Sequence, residues 1–188
     1  MELITERLVL REYIKDDWQA VLDYQSTPQY QRYYPWAEPS PQSVRSFIGE
    51  FIDWQNDQPR HNYQLAVLLK GGGQLIGSCG VRRGKPHSWE AELGYELAPA
   101  YWGKGFATEA ANVMLTFAFQ RLQLHRVLST CIAENLVSLR VLEKIGMRRE
   151  GCLRENVWME GRWWDSLVYG LLVYEWDALD RHVLEVYE

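Results

Sequence analysis

Residues 99–109, with the sequence PAYWGKGFATE, place a glycine turn between a strand-like and a helix-like segment, and no other feature constrains the fold of this chain as strongly. Before the turn, residues 90–97 alternate apolar and polar side chains, as a half-buried strand does. After it, apolar residues recur at helical spacing: Ala107, Ala110, Ala111, Met114, Leu115, Ala118 and Leu122. The turn therefore falls at the N-terminus of a helix that packs against a sheet.

A helix N-terminus of this kind is suited to an anion. Its first backbone N–H groups have no partner inside the helix, and the helix dipole adds about half a positive charge there. Gly103 and Gly105 lack a Cβ atom, so the backbone can turn sharply and approach a phosphate closely. The alternative is a plain strand-to-helix connection. Two other phosphate patterns, G-x-x-x-x-G-K-[ST] and an early G-x-G-x-x-G, are absent from the sequence, which disfavours simple NTPase and dinucleotide-binding functions.

A second strand, loop and helix follow at residues 126–147, where Asn135 is a favourable N-cap and Gly146 a favourable helix stop. Elsewhere the pattern predicts strands at 3–11, 64–69, 74–82, 147–158 and 164–172, and helices at 16–24 and 42–55. Hairpin turns are expected at 71–73 and 160–161, and a helical tail from about residue 174. Hairpins followed by alternating strands and helices predict a mixed sheet flanked by helices.

Three stretches carry a family resemblance: YWGKGFATEA at 101–110, the N-x-x-S of Asn135 and Ser138, and VLEKIGM at 141–147. In order and spacing they resemble the GNAT acyl-CoA N-acyltransferase superfamily, most closely the branch of ribosomal-protein N-terminal acetyltransferases (RimJ/RimL-like). The similarity runs from TERLVLR at 5–11 to DSLVYGLL at 165–172. Trp102 departs from it, because the superfamily usually has Gln or Arg there. Since the ligand is held mainly by backbone N–H groups, this departure weakens the motif only slightly.

The resemblance implies the GNAT fold, of class α/β (α+β). It is a mixed, mostly antiparallel, twisted sheet of about seven strands flanked by helices. Its two central parallel strands, here ending near Leu97 and Ile132, splay apart, and the acyl-CoA arm enters the opening. Acetyl-CoA is the implied cosubstrate, without a metal. Its implied contacts are Leu97, Trp102, Gly103, Lys104, Gly105, Phe106, Ala107, Thr108, Asn135 and Ser138. Of the basic residues Arg82, Arg83, Lys85 and Lys104, we carry over only Lys104, as a backbone contact.

The resemblance also suggests catalytic residues. Glu92, on the strand before the turn, resembles the glutamate that many superfamily members use as general base, with Glu96 and Glu155 as weaker alternatives. Where the ribosomal branch can place its base, this chain has Val157. Ser138 is the candidate for protonating the thiolate, against a role in helix capping alone. Tyr169 is the alternative acid, against a place in the core. A backbone N–H near Leu97 would meet the oxyanion.

The acceptor amine is left open by the residues. The aromatic cluster of Tyr33, Tyr34, Trp36 and Trp54 can wall an amine pocket, form core, or make a dimer contact. Trp158, Trp163 and Trp164 suggest a partly exposed apolar surface. The branch favours a protein N-terminal α-amine; a polyamine, amino acid or aminoglycoside is the alternative. A hypothesis from a different functional class is a non-catalytic acyl-CoA-binding module.

Composition limits the remaining classes. A chain of 188 residues with 47% apolar content predicts one domain over residues 1–188. The net charge of −5 argues against a nucleic-acid partner. The absence of a long apolar stretch and of a signal-peptide pattern predicts a cytoplasmic protein without a membrane partner. Three cysteines without C-x-x-C spacing and four histidines without a ligand-spaced pair predict no metal site. The aromatic content is compatible with a homodimer.

Overall fold

The computed structural model describes residues 1–34, 39–85, 88–179 and the backbone of 186–187. These residues form a nine-stranded sheet with the order β7-β8-β6-β5-β4-β3-β2-β1-β9. The strands are β1 (Glu2–Ile4), β2 (Leu8–Glu12), β3 (Asn62–Leu69), β4 (Leu75–Arg82), β5 (Glu90–Leu97), β6 (Arg126–Ile132), β7 (Arg148–Met159), β8 (Arg162–Leu172) and β9 (Val186–Tyr187). The helices are α1 (Trp18–Gln25), α2 (Pro28–Gln31), α3 (Pro41–Trp54), α4 (Phe106–Thr116), α5 (Leu136–Lys144) and α6 (Val173–Asp177).

The predicted mixed sheet is confirmed, and all pairings are antiparallel except that of β5 with β6. Two short strands raise the count above seven. The single strand predicted at residues 3–11 is wrong, because Thr5 closes a turn between β1 and β2: its hydroxyl oxygen accepts the Leu8 N–H at 2.9 Å. Among the described residues of the tail, Val173–Asp177 is helical, and Val186–Tyr187 pairs with β1.

Helices cover both faces of the sheet, and the residues of β3 alternate between the two cores that result. Leu65 and Val67 pack in the core that contains α4, whereas Ala66 and Leu68 pack in the core formed by α1 and α3. The predicted apolar face of α3 is confirmed, since Val44, Ile48 and Phe51 are buried and Phe47 packs against them. The apolar stripe of α4 is equally buried, and the helix continues through a π-helical turn at Phe117–Arg121.

The hairpin turns at 71–73 and 160–161 are confirmed. Gly71 and Gly73 have φ of +88° and +63°, and Glu160 and Gly161 have φ of +53° and +74°. The adjacent positive φ values at Glu160 and Gly161 suit the right-handed twist of the strands that they join.

The central parallel pair separates along its length, as the resemblance implies. Residues Glu90–Glu92 of β5 pair with Arg126–Leu128 of β6. One residue further, the Ser129 hydroxyl donates to the Leu93 carbonyl at 2.9 Å. Beyond that contact β5 stays on β4 and β6 stays on β8, so a gap opens between the carboxyl ends of the two parallel strands.

Candidate active site

A cavity of about 340 Å³ occupies this gap and the adjoining face of the sheet. Its residues come from strands β3 to β8, from α3 and α5, and from the segment after α2. They include Glu92, Gly94, Tyr95, Glu96, Arg82, Gln64, Tyr33, Tyr34, Phe47, Phe51, Thr130, Cys131, Asn135, Ser138 and Val157. A cleft that collects polar groups at the carboxyl ends of strands is where an α/β sheet commonly binds its ligand.

The glycine turn has the conformation that its sequence predicts. A 3-10 turn at Pro99–Tyr101 follows β5, and Gly103 and Gly105 then adopt φ of +73° and +82°. Gly105 is the N-cap of α4 and provides no side chain to satisfy the helix's first N–H groups. The N–H groups of the first turn, Phe106 to Thr108, therefore form a donor set suited to an anion. Lys104 is exposed, with its ammonium nitrogen 5.3 Å from the centre of the Tyr101 ring.

Trp102 has a structural role that its departure from the family pattern did not reveal. Its indole N–H donates to the Leu97 carbonyl at 2.7 Å, so the turn is fastened to the end of β5. The Ala98 N–H bonds to the Ile76 carbonyl on β4, and backbone groups alternate in direction along a strand. The N–H of Leu97 and the peptide groups of Tyr95 consequently point towards the gap, where an extended ligand can use them.

A second brace of the turn comes from Arg7, which the sequence analysis did not single out. Its Nε donates to Glu109 on α4 at 2.6 Å, and its Nη1 donates to the Lys104 carbonyl at 3.1 Å. The Glu109 carboxylate also accepts the Thr5 hydroxyl at 2.6 Å. Hydrogen bonds from Thr5 and Arg7 oppose burial and hold the pKa of Glu109 below its usual value. The TER sequence at 5–7 is the one signal that could have indicated this brace.

Glu92 lines the cavity at the point where the parallel strands begin to separate. Its Oε1 accepts a hydrogen bond from the Thr130 hydroxyl of β6 at 3.2 Å. The side chain is half-buried, which leaves a carboxylate that is held in place and can still be reached from the cavity. That is the position required of a group that takes a proton from a bound amine.

Glu96, the weaker alternative, lies on the same face of β5 in a different environment. The Tyr24 hydroxyl donates to its Oε1 at 2.5 Å, the Tyr30 hydroxyl donates to Oε2, and the Gln25 amide lies 3.4 Å from Oε1. Burial raises the pKa of Glu96, while these donors and the charge of Arg82 oppose the rise. Its oxygens are thus already engaged by protein donors, which makes it a less available base than Glu92.

The raised pKa of Glu96 predicts a pH dependence of stability. In the unfolded chain the carboxyl titrates near its ordinary pKa of 4.5, and in the folded chain it titrates higher. Between these two pKa values the folded state binds more protons than the unfolded state. The contribution of this carboxyl to the free energy of unfolding is therefore fully present below pH 4.5 and is lost as the pH rises through the folded pKa. The free energy of unfolding of Glu96→Gln minus that of wild type should therefore be larger at pH 8 than at pH 5.

Urea unfolding at both pH values measures this effect. Glu50→Gln, an exposed position on α3, is the control and should show the same difference from wild type at the two pH values. An E96Q difference that is independent of pH would contradict the raised pKa.

Ser138 meets a partner that the sequence did not indicate. Its Oγ lies 2.9 Å from the Tyr95 hydroxyl, which also donates to the Ser138 carbonyl at 3.1 Å. Both side chains line the cavity, and burial raises the pKa of Tyr95, which keeps the phenol protonated. Tyr169, the alternative acid, is buried on β8 and is not among the residues that line the cavity. Tyr95 is therefore the tyrosine that adjoins the candidate thiolate site.

Asn135 caps α5 as predicted: its side-chain oxygen accepts the Ser138 N–H at 3.2 Å. Gly146 ends the helix with φ of +88°, and the Met147 N–H bonds to the Leu142 carbonyl. The cap places Asn135 and Ser138 together on the wall of the cavity, next to β6.

The aromatic predictions are correct in part. Tyr33 and Tyr34 line the cavity, whereas Trp54 packs on Phe51 and does not; Trp36 lies outside the described residues. Trp158 and Trp163 on the β7–β8 hairpin are 56% and 52% exposed, with ring centres 5.2 Å apart. Trp164 is buried instead, because its indole N–H donates to the Met159 carbonyl and Arg162 stacks on its ring.

The structure places the remaining candidate site residues in different surroundings. Val157 lines the cavity and presents an apolar wall where the ribosomal branch can carry its base. Glu155 is exposed at an irregularity of β7, where its N–H donates to Asp165, and it is not among the lining residues. Arg83 donates to the Leu122 carbonyl. Arg82 lines the cavity and is paired with Glu92, five residues before the carboxyl end of β5. The glycine turn lies beyond that end, so the position of Arg82 does not fit a contact with the nucleotide phosphates.

Among the residues that the structure describes, no group of three or more His, Cys, Asp or Glu side chains is arranged to hold a metal ion. In the same part of the chain, no helix has the length and apolar character needed to cross a membrane.

Comparison with known proteins agrees with the architecture. The family model described as "Acetyltransferase (GNAT) domain" matches residues 7–148. The uncharacterized N-acetyltransferase YnaD of Bacillus subtilis (strain 168) is 34% identical over 179 residues, 94% of this chain and 100% of that protein. The ribosomal protein uS5-alanine N-acetyltransferase of Escherichia coli (strain K12) is 26% identical over 187 residues, 94% of this chain and 93% of that protein. A GNAT-family acetyltransferase structure from Bacillus anthracis gives a TM-score of 0.81 at 32% identity, covering 93% of this chain and 99% of that one.

The family model spans well over half of the chain, and the splayed strands, the glycine turn and the cavity are where that family's resemblance implies them. The chain belongs to the GNAT acetyltransferase family and is an N-acetyltransferase.

Proposed function

We propose that this N-acetyltransferase uses acetyl-CoA to acetylate the α-amine of a protein N-terminus, by direct attack within a ternary complex. One observation carries the proposal: Glu92, whose carboxylate can be reached from the cavity, lies on β5, and the glycine turn follows the carboxyl end of the same strand. A donor held at the turn and an acceptor at Glu92 would therefore meet inside the cavity.

The donor can be held mainly by backbone. The pyrophosphate would accept hydrogen bonds from the N–H groups of Gly103 to Thr108, with Lys104 contributing its backbone. The pantetheine arm would run along β5 and bond the peptide groups of Tyr95 and the Leu97 N–H, as an added strand does. Trp102 and Arg7 would keep the turn at the correct distance from β5, and Asn135 and Ser138 would bound the arm on the α5 side.

Deprotonation of the acceptor favours an α-amine. Its pKa of about 7.7 to 8.0 means that the neutral form costs about 1 to 1.4 kcal/mol at pH 7, whereas a lysine with a pKa of about 10.4 costs about 4.6 kcal/mol. A single half-buried carboxylate such as Glu92 is sufficient for the first task. The amine nitrogen would attack the thioester carbonyl carbon as Glu92 takes its proton, directly or through one water.

Collapse of the tetrahedral intermediate breaks the C–S bond and leaves a thiolate. A further backbone N–H of β5, near Leu97 and facing the gap, would stabilise the oxyanion before that collapse. The hydroxyl pair of Ser138 and Tyr95 would then donate a proton to the departing sulfur. This is a direct transfer that uses no protein nucleophile; Cys131, the cysteine that lines the cavity, has a pKa raised to about 11 by burial, so its thiol stays protonated near neutral pH.

The relative in Escherichia coli named for acetylation of ribosomal protein uS5 supports a protein N-terminus as acceptor. The experiment is a titration of the chain with acetyl-CoA by calorimetry, followed by thiol release with N-terminal peptides, free amino acids, spermidine and an aminoglycoside. Mass spectrometry then locates the acetyl group on the peptide. Acetylation at the α-amine supports the proposal. Turnover with only free amino acids, spermidine or the aminoglycoside would replace it with a small-molecule acetyltransferase, and binding without turnover would favour an acyl-CoA-binding module.

A further inference from the structure

Arg82 brings a positive charge to the acceptor side of the cavity. It ends β4 opposite Glu92 of β5 and lines the cavity together with Glu92 and Glu96. Its guanidinium makes no hydrogen bond or ion pair within 4 Å to any side chain in the part of the chain that the structure describes. Its charge still acts on Glu96, where it opposes the effect of burial on the pKa.

The guanidinium lies over Gly94, the residue that stands midway between Glu92 and Glu96 on β5. A Cβ atom added at Gly94 would come within 2.5 Å of Arg82 Nη2, so the glycine provides the space that the guanidinium fills. Glu92, Gly94 and Glu96 share one face of β5 at intervals of two residues, about 7 Å each. The cavity floor thus presents a negative, a positive and a negative group in a row.

This arrangement favours an anionic group on the acceptor. An arginine stays charged at any physiological pH and offers five donors in a planar fork that matches a carboxylate. The half-buried guanidinium lines the cavity, so a carboxylate from a ligand can accept charge-assisted hydrogen bonds from its donors. A second cation on the acceptor, as in a polyamine, would be repelled from the same position.

Resting on the proposed function, we propose that Arg82 binds a carboxylate of the acceptor while the acceptor's α-amine lies at Glu92. The acceptor is then an α-amine with a carboxylate within about 7 Å, the distance from Glu92 to Gly94 along the strand. Two sources supply this chemistry: an acidic side chain at the first or second position of a protein N-terminus, and the α-carboxylate of a free amino acid.

The test compares kcat/KM for peptides that differ only at the second residue, Asp, Asn or Lys, and for free alanine against its α-amide. With the wild-type protein, the acceptor that carries the carboxylate should be preferred by roughly 10- to 100-fold over its neutral partner, and Lys should be the poorest. A preference for Asp over Asn in the peptides identifies an acidic N-terminus, and a preference for alanine over its α-amide identifies a free amino acid.

Two variants remove the interaction by different routes. Arg82→Met removes the charge and keeps an apolar stem, and Gly94→Ala displaces the guanidinium while the charge stays. Both variants should lower the ratio of kcat/KM for the acceptor with the carboxylate to kcat/KM for its neutral partner towards one. Arg82→Lys should keep part of this preference. Lys85→Met is the matched control, because Lys85 is exposed, three residues beyond Arg82, and outside the cavity; its preference should equal that of wild type.

The two proposals fail in different ways. If every peptide is acetylated at its α-amine with the same kcat/KM regardless of charge, and alanine is used no better than its α-amide, the Arg82 proposal is overturned and the proposed function stands. If no peptide is acetylated at its α-amine although acetyl-CoA binds, the proposed function fails, and the alanine pair alone then tests Arg82. The comparison on the wild-type protein decides the matter even where a variant does not fold.

Discussion

Replacing Glu92 by Gln should lower kcat/KM for an N-terminal peptide by about 10²- to 10⁴-fold, the usual contribution of a positioned general base. The glutamine keeps the shape of the side chain, and its carbonyl oxygen can still accept the Thr130 hydroxyl that bonds to Glu92 at 3.2 Å. Acetyl-CoA affinity should be unchanged, because the donor is held at the turn. The loss should therefore appear in turnover and not in calorimetric titration with acetyl-CoA.

The pH profile distinguishes loss of a base from loss of structure. With Glu92, the ammonium form of the acceptor can bind and be deprotonated in the site. Without it, only amine that is already neutral can react, so the activity of E92Q should rise with pH until it levels near the acceptor's pKa of about 7.7 to 8.0. The gap between variant and wild type should be widest at low pH.

Glu155→Gln is the control for this experiment, since Glu155 carries the same charge but is exposed on β7 away from the cavity lining. Its kcat/KM should stay within about twofold of wild type, as for a surface change that touches no site. An E92Q variant with wild-type turnover at pH 6.5 would show that Glu92 is not the base.

Replacing Gly105 by Val should weaken acetyl-CoA and CoA together, by at least about tenfold in Kd, the factor that corresponds to about 1.4 kcal/mol. Gly105 has φ of +82°, a left-handed conformation that costs an ordinary residue about 1 to 2 kcal/mol and a β-branched residue more. The valine would shift the turn and cover the N–H groups of α4. Both ligands share the pyrophosphate, so the loss should be equal within error.

The control is Gly71→Val, in the hairpin between β3 and β4. Gly71 has a similar φ of +88° and open space around it, so the variant carries comparable backbone strain away from the turn. It should lose stability by thermal unfolding and keep wild-type affinity for both ligands. If G105V binds CoA as wild type does, the pyrophosphate does not lie at this helix.

Local sequence patterns predicted the elements where each obeys a short-range rule. The alternation in residues 90–97, the helical stripe after Gly105 and the cap at Asn135 were all correct, because each depends on neighbours within a few residues. The single strand predicted at residues 3–11 was wrong, because Thr5 interrupts it through a hydrogen bond with Leu8 that the apolar pattern does not reveal.

The candidate site was less predictable because it joins residues distant in the chain. Glu92 and Ser138 were named from a resemblance, and the structure places both on one cavity. The engagement of Glu96 by Tyr24 and Tyr30 joins positions 72 and 66 residues apart, and the Arg7 brace on Glu109 joins positions 102 apart. Pairings at such separations have no local signal in a single sequence.

The sequence by itself determined the family, the glycine turn and the identity of the chemical groups that the site can use, because these depend on residue type and spacing along the chain. Only the tertiary structure decided which of those groups are available. Packing engages Glu96 and leaves Glu92 reachable, pairs Ser138 with Tyr95, and lays Arg82 over Gly94 in the cavity. Availability depends on distance and desolvation, and the fold sets both when it brings β4, β5, β6 and α5 together.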